Sequence, residues 1–260
     1  MSKDVKAHNK KAWDLNVEMG IRWSTIVEEG PIEKARQGNP DIIMTPTKSL
    51  PKDWLGDISG KVVLGLASGG GQQGPLLAAA GAKVIIADLS PKQLEQDRKA
   101  SEKYKLEIRT IETPASDLSM LEDESIDLIL NPVSNCFFED LNPVWDECQR
   151  VLKPGGKLIW GFNNPVSHLF DYDLANFQGK FHLKYSQPYS DLDSLSEEEK
   201  KKFLANENPL EFGHSLQTQI GDLLKRGFLL SGLFEDYWDD ETEALNKYFP
   251  QFICAMAIRS

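Results

Sequence analysis

A chain of 260 residues with 40% hydrophobic content is long enough to bury one sizeable core and carry an extension. Its formal net charge of −11 argues against nucleic acid as a partner, because affinity for that polyanion rests on neutralising phosphates. Three cysteines without metal or redox spacing, no apolar run near the ~20 residues of a membrane span and a polar, charged start lead us to expect a reduced cytoplasmic protein that engages neither metal nor membrane.

Residues 1–59 read as a helical arm or lid outside the main domain. Residues 8–19 place Trp13 and Val17 four apart, on one helix face. A second helical piece is expected over 31–37, opened by Pro31, before prolines at 40, 46 and 51 interrupt the chain. Trp13, Trp23 and Trp54 either pin this arm to a core or form part of a lid over a ligand.

From Gly60 strands and helices alternate. Strands are expected at 62–66, 83–87, 106–111, 125–130 and 157–162. Helices are expected at 72–80, from Ser90-Pro91 with Ser as the cap, and from Asn142-Pro143 with Val144, Cys148 and Val151 on one side. Residues 153–156 read as a sharp turn. Residues 163–214 depart from the rhythm and read as an insertion, with a capping box at Ser196 and Glu199. A helix over 214–225 closes at Gly227. Two last strands, 228–234 and 252–258, are joined by the acidic stretch 235–243 and are expected to pair antiparallel. The fold class is therefore α/β: a doubly wound, Rossmann-like, mostly parallel seven-stranded sheet with an antiparallel last strand, occupying 60–260.

The first strand feeds its helix through Gly69-x-Gly71-x-x-Gly74, the spacing of a dinucleotide fingerprint. Glycine lets backbone approach a ligand, and the first helical turn aims free N–H groups at it. Asp88 ends the next strand, nineteen residues past Gly69, where an acid can take the hydroxyls of a ribose. Nicotinamide or flavin dinucleotides and S-adenosylmethionine both suit this geometry.

Across about residues 60–258 the chain resembles the class I S-adenosylmethionine-dependent methyltransferases. The family's first motif, typically Val-Leu-Asp-Leu-Gly-Cys-Gly-Thr-Gly, corresponds to residues 63–71, Val-Leu-Gly-Leu-Ala-Ser-Gly-Gly-Gly. Asp88 falls on the family's ribose-binding acid, residues 125–130 resemble its fourth strand and residues 147–158 its turn into strand five. The wording of residues 66–73, 132–137 and 45–48 looks like a bacterial subgroup. The resemblance implies S-adenosylmethionine as cofactor, held by Leu66, Ala67, Ser68, Gly69, Gly70, Gly71, Gln72, Asp88 and Leu89, with Asn131 at the end of strand four beside the transferred methyl.

Two departures stand out. The first-motif Asp is Gly65, so the methionine end must be held elsewhere, by carbonyls at Leu66 and Ala67 or by the arm. The family's Gly-Asp after strand three is Thr113-Pro114, which leaves adenine to backbone near Ala115 and to Asp117. Asn131-Pro132-Val133-Ser134 is superficially similar to the Asn-Pro-Pro-Tyr of amino-directed methyltransferases but lacks the aromatic. Asn131, Ser134 and Asn135 are candidates to face the acceptor, with capping of the core as the competing reading. His168 and His214 are candidate general bases. The aromatic arm and insertion favour a small, partly apolar or aromatic methyl acceptor. Two rivals remain: an NAD(P)-dependent oxidoreductase, although no tyrosine has lysine four residues on, and a non-catalytic S-adenosylmethionine-binding module. The sequence carries no reading of oligomeric state.

Overall fold

Residues 62–66, Val-Val-Leu-Gly-Leu, contain no polar member, a composition that suits a strand covered on both faces. The computed structural model describes residues 4–239 and 243–260, so 1–3 of the polar start and 240–242 of the acidic stretch lie outside the described residues. In it this run is β1, Val62–Leu66, at the centre of the sheet. It pairs in parallel with β2, Lys83–Asp88, on one side and β4, Ile126–Asn131, on the other. Outside β2 lies β3, Ile108–Glu112, and outside β4 lies β5, Leu152–Asn163. Beyond β5 a hairpin-like pair completes the sheet. Phe252–Arg259 (β9) runs antiparallel both to β5 and to Phe228–Asp236 (β8). The order β3-β2-β1-β4-β5-β9-β8 reverses direction at β1, which opens a crevice at the carboxyl ends of β1 and β4.

Alternation along the strands separates two apolar layers. Val63, Ile86, Leu130 and Ile159 pack with α4 (Gln73–Ala79) and α5 (Pro91–Tyr104). The same layer takes Ile32 of α2 (Glu29–Arg36), Trp54 of α3 (Lys52–Leu55), Ile42 and Met44. Leu64, Leu66, Ile129, Trp160 and Phe162 face the other way, onto Val144, Trp145 and Cys148 of α6 (Asn142–Val151) and Leu223 of α9 (Asp222–Lys225). The later part of the arm thus contributes to the core: Trp54 is 7% exposed and its ring lies 5.5 Å from Phe234.

The boundaries differ from expectation for identifiable reasons. The first helix, α1 (Val5–Glu18), starts three residues early because the Asp4 side chain caps it by accepting from the N–H of Ala7. Residues 153–156 form no separate turn. They are an irregularity inside β5, where Ile126 pairs with Leu152 but Leu128 already with Lys157. The helix expected from 214 begins at Gln217 with one π turn before α9. Between β5 and that helix lie α7 (Tyr172–Gln178), α8 (Glu197–Ala205) with its capping box, and an unforeseen two-stranded sheet, β6 (Tyr189–Ser190) with β7 (Phe212–Gly213). Among the described residues no helix is long and apolar enough to cross a membrane.

Candidate active site

The crevice at the carboxyl ends of β1 and β4 is a cavity of about 430 Å³. Its floor is the loop leaving β1. Ala67 there adopts φ +46°, a left-handed conformation that costs a side-chain-bearing residue roughly 1–2 kcal/mol. The turn is held by an Ala67 N–H bond to the carbonyl of Ala87 at 2.7 Å. Gly69 comes next. A Cβ on it would stand 3.1 Å from Asp88 Oδ2 and 2.8 Å from Gln93 Cβ, so the close packing of loop, strand end and helix requires glycine.

Asp88 accepts from the N–H of Gly69 through Oδ2 (2.9 Å) and from that of Ser90 through Oδ1 (2.9 Å). Burial pushes its carboxyl up, helped by the charge of Asp14, while the backbone N–H groups of Ser90, Gly69 and Leu89 oppose the rise. Ala67, Ser68, Gly69, Gln72, Asp88, Leu89 and Ala115 all line the cavity. Ser68 is 4% exposed and its Oγ has no partner among the described residues. That Oγ also stands in the space at Gly65, where a Cβ would meet it at 2.3 Å and Ile86 Cδ1 at 2.6 Å, so a larger residue at 65 would have to displace both side-chain ends.

Gly70 and Gly71 turn away from the cavity towards the arm. The Gly70 Cβ position lies 2.5 Å from the carbonyl oxygen of Trp23, and the Gly71 carbonyl accepts from Val27. Their N–H groups bond Asp97, whose burial raises its carboxyl to about 8. The Gln72 amide donates to the carbonyls of Arg22 (2.6 Å) and Thr25 (3.3 Å). Gln73 likewise donates to Ile43 (3.0 Å) and Gln96 to Ser24 (2.9 Å). These amides staple the arm over the loop, a role that residue type did not suggest.

The arm supplies the roof. Val5, Lys6, Asn9 and Trp13 of α1 face the cavity, as does Trp23. Asp14 Oδ1 accepts from Ser90 Oγ at 2.6 Å, and Asn9 donates to the carbonyls of Phe137 and Leu210 (both 3.1 Å) while accepting from Leu210 (2.8 Å). Trp13 meets Phe137 edge-on at 5.0 Å. A second wall, residues 43–46, is tied down by the buried carboxylate of Asp236, which accepts from Thr45 Oγ1 (2.7 Å), Thr47 N (2.9 Å), Lys48 N (3.0 Å), Tyr237 N (2.9 Å) and Thr47 Oγ1.

The remaining candidates sit elsewhere. Asn131, fully buried, donates to the Leu66 carbonyl (2.9 Å) and to Ser134 Oγ (2.7 Å), so it splices β1 to the loop after β4 and does not line the cavity, nor does Leu66. Ser134 does. Asn135 is turned inward onto Gln219 Oε1 (2.9 Å), so it faces core and not acceptor. Asp117 is exposed, holding the Ser119 N–H (3.1 Å) outside the cavity, so the expectation that it reads adenine is corrected. His214 Nε2 bonds the Phe138 carbonyl at 2.8 Å and burial lowers its pKa. The His168 ring lies against that of Tyr189, 5.3 Å between centroids and tilted by 31°. Neither histidine lines the cavity; Glu211, 3.9 Å from His168, does.

Sequence reasoning missed Asn9, Gln93, Asn163, Glu211, Trp238 and Phe252, all of which line the cavity. Asn163 was findable, since ligands gather at the carboxyl ends of strands and it ends β5. The end of the cavity beyond β4 is walled by Phe137, Phe138, Trp238 and Phe252, with the carboxylates of Glu139, Asp140 and Glu211 beside them. Lys6 is the sole cation among the described lining residues, and it lies by Ser116 on the β3 side. No group of three metal-ligating side chains occurs among the described residues.

The residues present fit a nucleoside with an extended tail. Asp88 and the orphaned Ser68 Oγ lie along one floor, and the cradle at Gly69 is one that a Cβ would fill. Comparison with known proteins agrees. A family described as a methyltransferase domain matches residues 64–160. The uncharacterized methyltransferase YbaJ of Bacillus subtilis is 51% identical over 230 residues, covering 88% of this chain and 90% of that one. Among solved structures, an S-adenosylmethionine-dependent methyltransferase from Mesorhizobium loti superposes with a TM-score of 0.62 at 20% identity, over 80% of this chain and 94% of its own. A geranyl diphosphate C-methyltransferase from Streptomyces coelicolor, bound to Mg2+, geranyl diphosphate and S-adenosyl-L-homocysteine, matches all of both chains with a TM-score of 0.63 at 11% identity. At such identities the two structures share the fold.

Proposed function

The chain belongs to the class I S-adenosylmethionine-dependent methyltransferases, and from that premise we propose that it methylates a small acceptor with an apolar or aromatic body and no anionic group. The observation that carries this is the division of the cavity: polar floor at β1 and β2, aromatic walls with an acidic edge beyond β4. A diphosphate without the Mg2+ that accompanies it in the Streptomyces enzyme would meet the carboxylates of Glu139, Asp140 and Glu211 there, while Lys6, the sole cation among the described lining residues, lies on the β3 side.

When bound, S-adenosylmethionine supplies an electrophilic methyl group on a sulfonium. The chain's own task is then to hold and to exclude. Asp88 accepts from the sugar hydroxyls, Ser68 Oγ bonds the chain beyond the sugar and Ala115 with Leu89 flanks the base. Within the arm, α1 serves as a lid in which Asn9 and Trp13 lock it to Phe137 and keep water out. Ser134 and Asn163 orient the acceptor at the tips of β4 and β5. Orientation of this kind contributes about 7–11 kcal/mol in favourable cases, so the transfer requires no catalytic dyad.

Calorimetry with S-adenosylhomocysteine tests the reading. We expect binding by the wild type, a loss of about ten- to a hundredfold in Asp88→Ala from the charged hydrogen bond removed, and no heat with NAD(P)H. Equal affinity in the variant would overturn the assignment of Asp88.

A further inference from the structure

We propose that Glu211 determines which acceptor this chain takes, and that the group it recognises is a basic amine carried on an apolar or aromatic body. Glu211 belongs to the insertion and sits beside the small sheet of β6 and β7, whose register sets Ser190 opposite Phe212. One step along, Asp191 holds the backbone of Glu211 twice. Its Oδ2 accepts from the Glu211 N–H at 2.7 Å, and its own N–H donates to the Glu211 carbonyl at 3.0 Å. Asp191 is itself buried, and its Oδ1 accepts from the Tyr189 hydroxyl at 2.6 Å. The preceding residue, Leu210, is held in the same way by the side chain of Asn9 in α1. The backbone at 210–211 is thus fixed through both its donors and its acceptors, which leaves the Glu211 carboxylate as the group free to act.

Glu211 lines the cavity with a side chain 43% exposed, and its oxygens take no hydrogen bond among the described residues. His168 Nε2 stays 3.9 Å from Oε2, beyond hydrogen-bond reach. β7 packs against the turn at Asn135–Phe137, just past the tip of β4. Cys136 of that turn also lines the cavity, and its thiol is pushed up by burial first and by the charge of Glu211 next. The other carboxylates of this half differ. Asp140 already accepts from the N–H and the side-chain amide of Asn142, and Glu139 is exposed. An unpaired, half-buried carboxylate in a cavity walled by Phe137, Phe138, Trp238 and Phe252 fits a cation, which Glu211 meets with a charged hydrogen bond and the ring faces attract further. An alcohol forfeits the charge, and a carboxylate is repelled. The inference rests on the acceptor half assigned above. In the transfer the bound ammonium gives one proton to Glu211 and thence to solvent. The pair freed on nitrogen forms the bond to the methyl carbon, the pair of the breaking C–S bond stays on sulfur, and the methylated nitrogen carries the positive charge.

The test is calorimetry on the full chain saturated with S-adenosylhomocysteine, with 2-phenylethylamine, 2-phenylethanol and 3-phenylpropanoate as probes that share a body and differ in head group. The wild type should bind the amine about tenfold tighter than the alcohol, and the propanoate least. Glu211→Gln keeps the shape of the side chain and removes its charge. It should bind S-adenosylhomocysteine and the alcohol within about twofold of wild type but the amine about tenfold more weakly, a selective loss that a merely structural defect would not produce. Glu139→Gln removes an equal charge from an exposed position and should cost about twofold or less with the amine. Given S-adenosylmethionine, the wild type should convert the amine to its N-methyl derivative. An amine bound no tighter than the alcohol overturns the proposal, as does an equal loss in Glu139→Gln or an amine that binds and is not methylated. Should Glu211→Gln fail to bind S-adenosylhomocysteine, the wild-type ranking of the three probes decides. A preference for the propanoate would bring down the acceptor class proposed above as well. Absence of heat from the wild type with S-adenosylhomocysteine would instead bring down the cofactor reading.

Discussion

The two halves of the cavity are built in opposite ways. The half at β1 and β2 is contiguous in sequence: Ala67, Ser68, Gly69, Asp88, Leu89 and Ala115 lie within fifty residues and act largely through backbone and one carboxylate. The half beyond β4 gathers single side chains from distant places, among them Asn9, Thr45, Phe137, Asn163, Glu211 and Trp238. A shared ligand is met by local geometry that one stretch of chain can encode. A particular acceptor is met by tertiary contacts, which can change one wall at a time. Substitutions that untie a wall should therefore harm the second half first.

The largest effect is expected at Asp236, which anchors residues 45–48 with four hydrogen bonds and accepts a fifth from the N–H of Tyr237. Burial alone would raise its carboxyl, but the donors from Thr47 and Thr45 win and hold it below the usual carboxylate range. Asp236→Ala strands several buried donors at roughly 1–3 kcal/mol each, so urea denaturation should show a loss of about 3–5 kcal/mol. Asp236→Asn keeps one acceptor oxygen and should lose less. Were Asp236→Ala as stable as wild type, the wall at 43–46 would not depend on this carboxylate.

A smaller effect, in the first half, concerns Asp97 beneath Gly70 and Gly71. Its carboxyl titrates at about 8 in the folded chain against an ordinary 3.8. Between those values the folded state keeps a proton that the unfolded state has released. Stability must then fall as pH rises through the window, by at most about 1.4 kcal/mol per pH unit from this group. Asp97→Asn retains an acceptor for both glycine N–H groups and removes the titration. Its advantage over wild type in urea denaturation should grow from pH 5 to pH 8. Parallel pH profiles would show that the loop does not hold a protonated carboxyl.

What could be read from the sequence follows the same division. β1, Gly69 and Asp88 were legible because an apolar run, a glycine and an acid at strand ends each have a local physical meaning. Gly70 and Gly71 were legible as glycines but not by role: what demands them is the Trp23 carbonyl and the chain at Gln96, contacts made by the fold. Histidine and asparagine invite catalytic readings, yet His214 and Asn135 spend their polar atoms on Phe138 and Gln219. Nothing local distinguishes Gln72, whose amide reaches a carbonyl fifty residues earlier, from a glutamine facing a ligand. Ala67 in a left-handed turn was hidden as well, since alanine rarely adopts that conformation.

The smallest effect separates position along the chain from position in space. Asp117 lies two residues past Ala115, and sequence reasoning paired them as readers of the base. Ala115 is 7% exposed and lines the cavity, whereas Asp117 is exposed and its carboxyl is held low by hydrogen bonds from Ser119. Asp117→Ala removes only that surface turn, so affinity for S-adenosylhomocysteine should stay within about twofold of wild type. Ala115→Trp, by contrast, places a large ring where the cavity wall now ends at a methyl, and should abolish measurable heat. If Asp117→Ala weakened binding as strongly as Ala115→Trp, the loop after β3 would have to turn over on binding, carrying the carboxylate inward and Ala115 out.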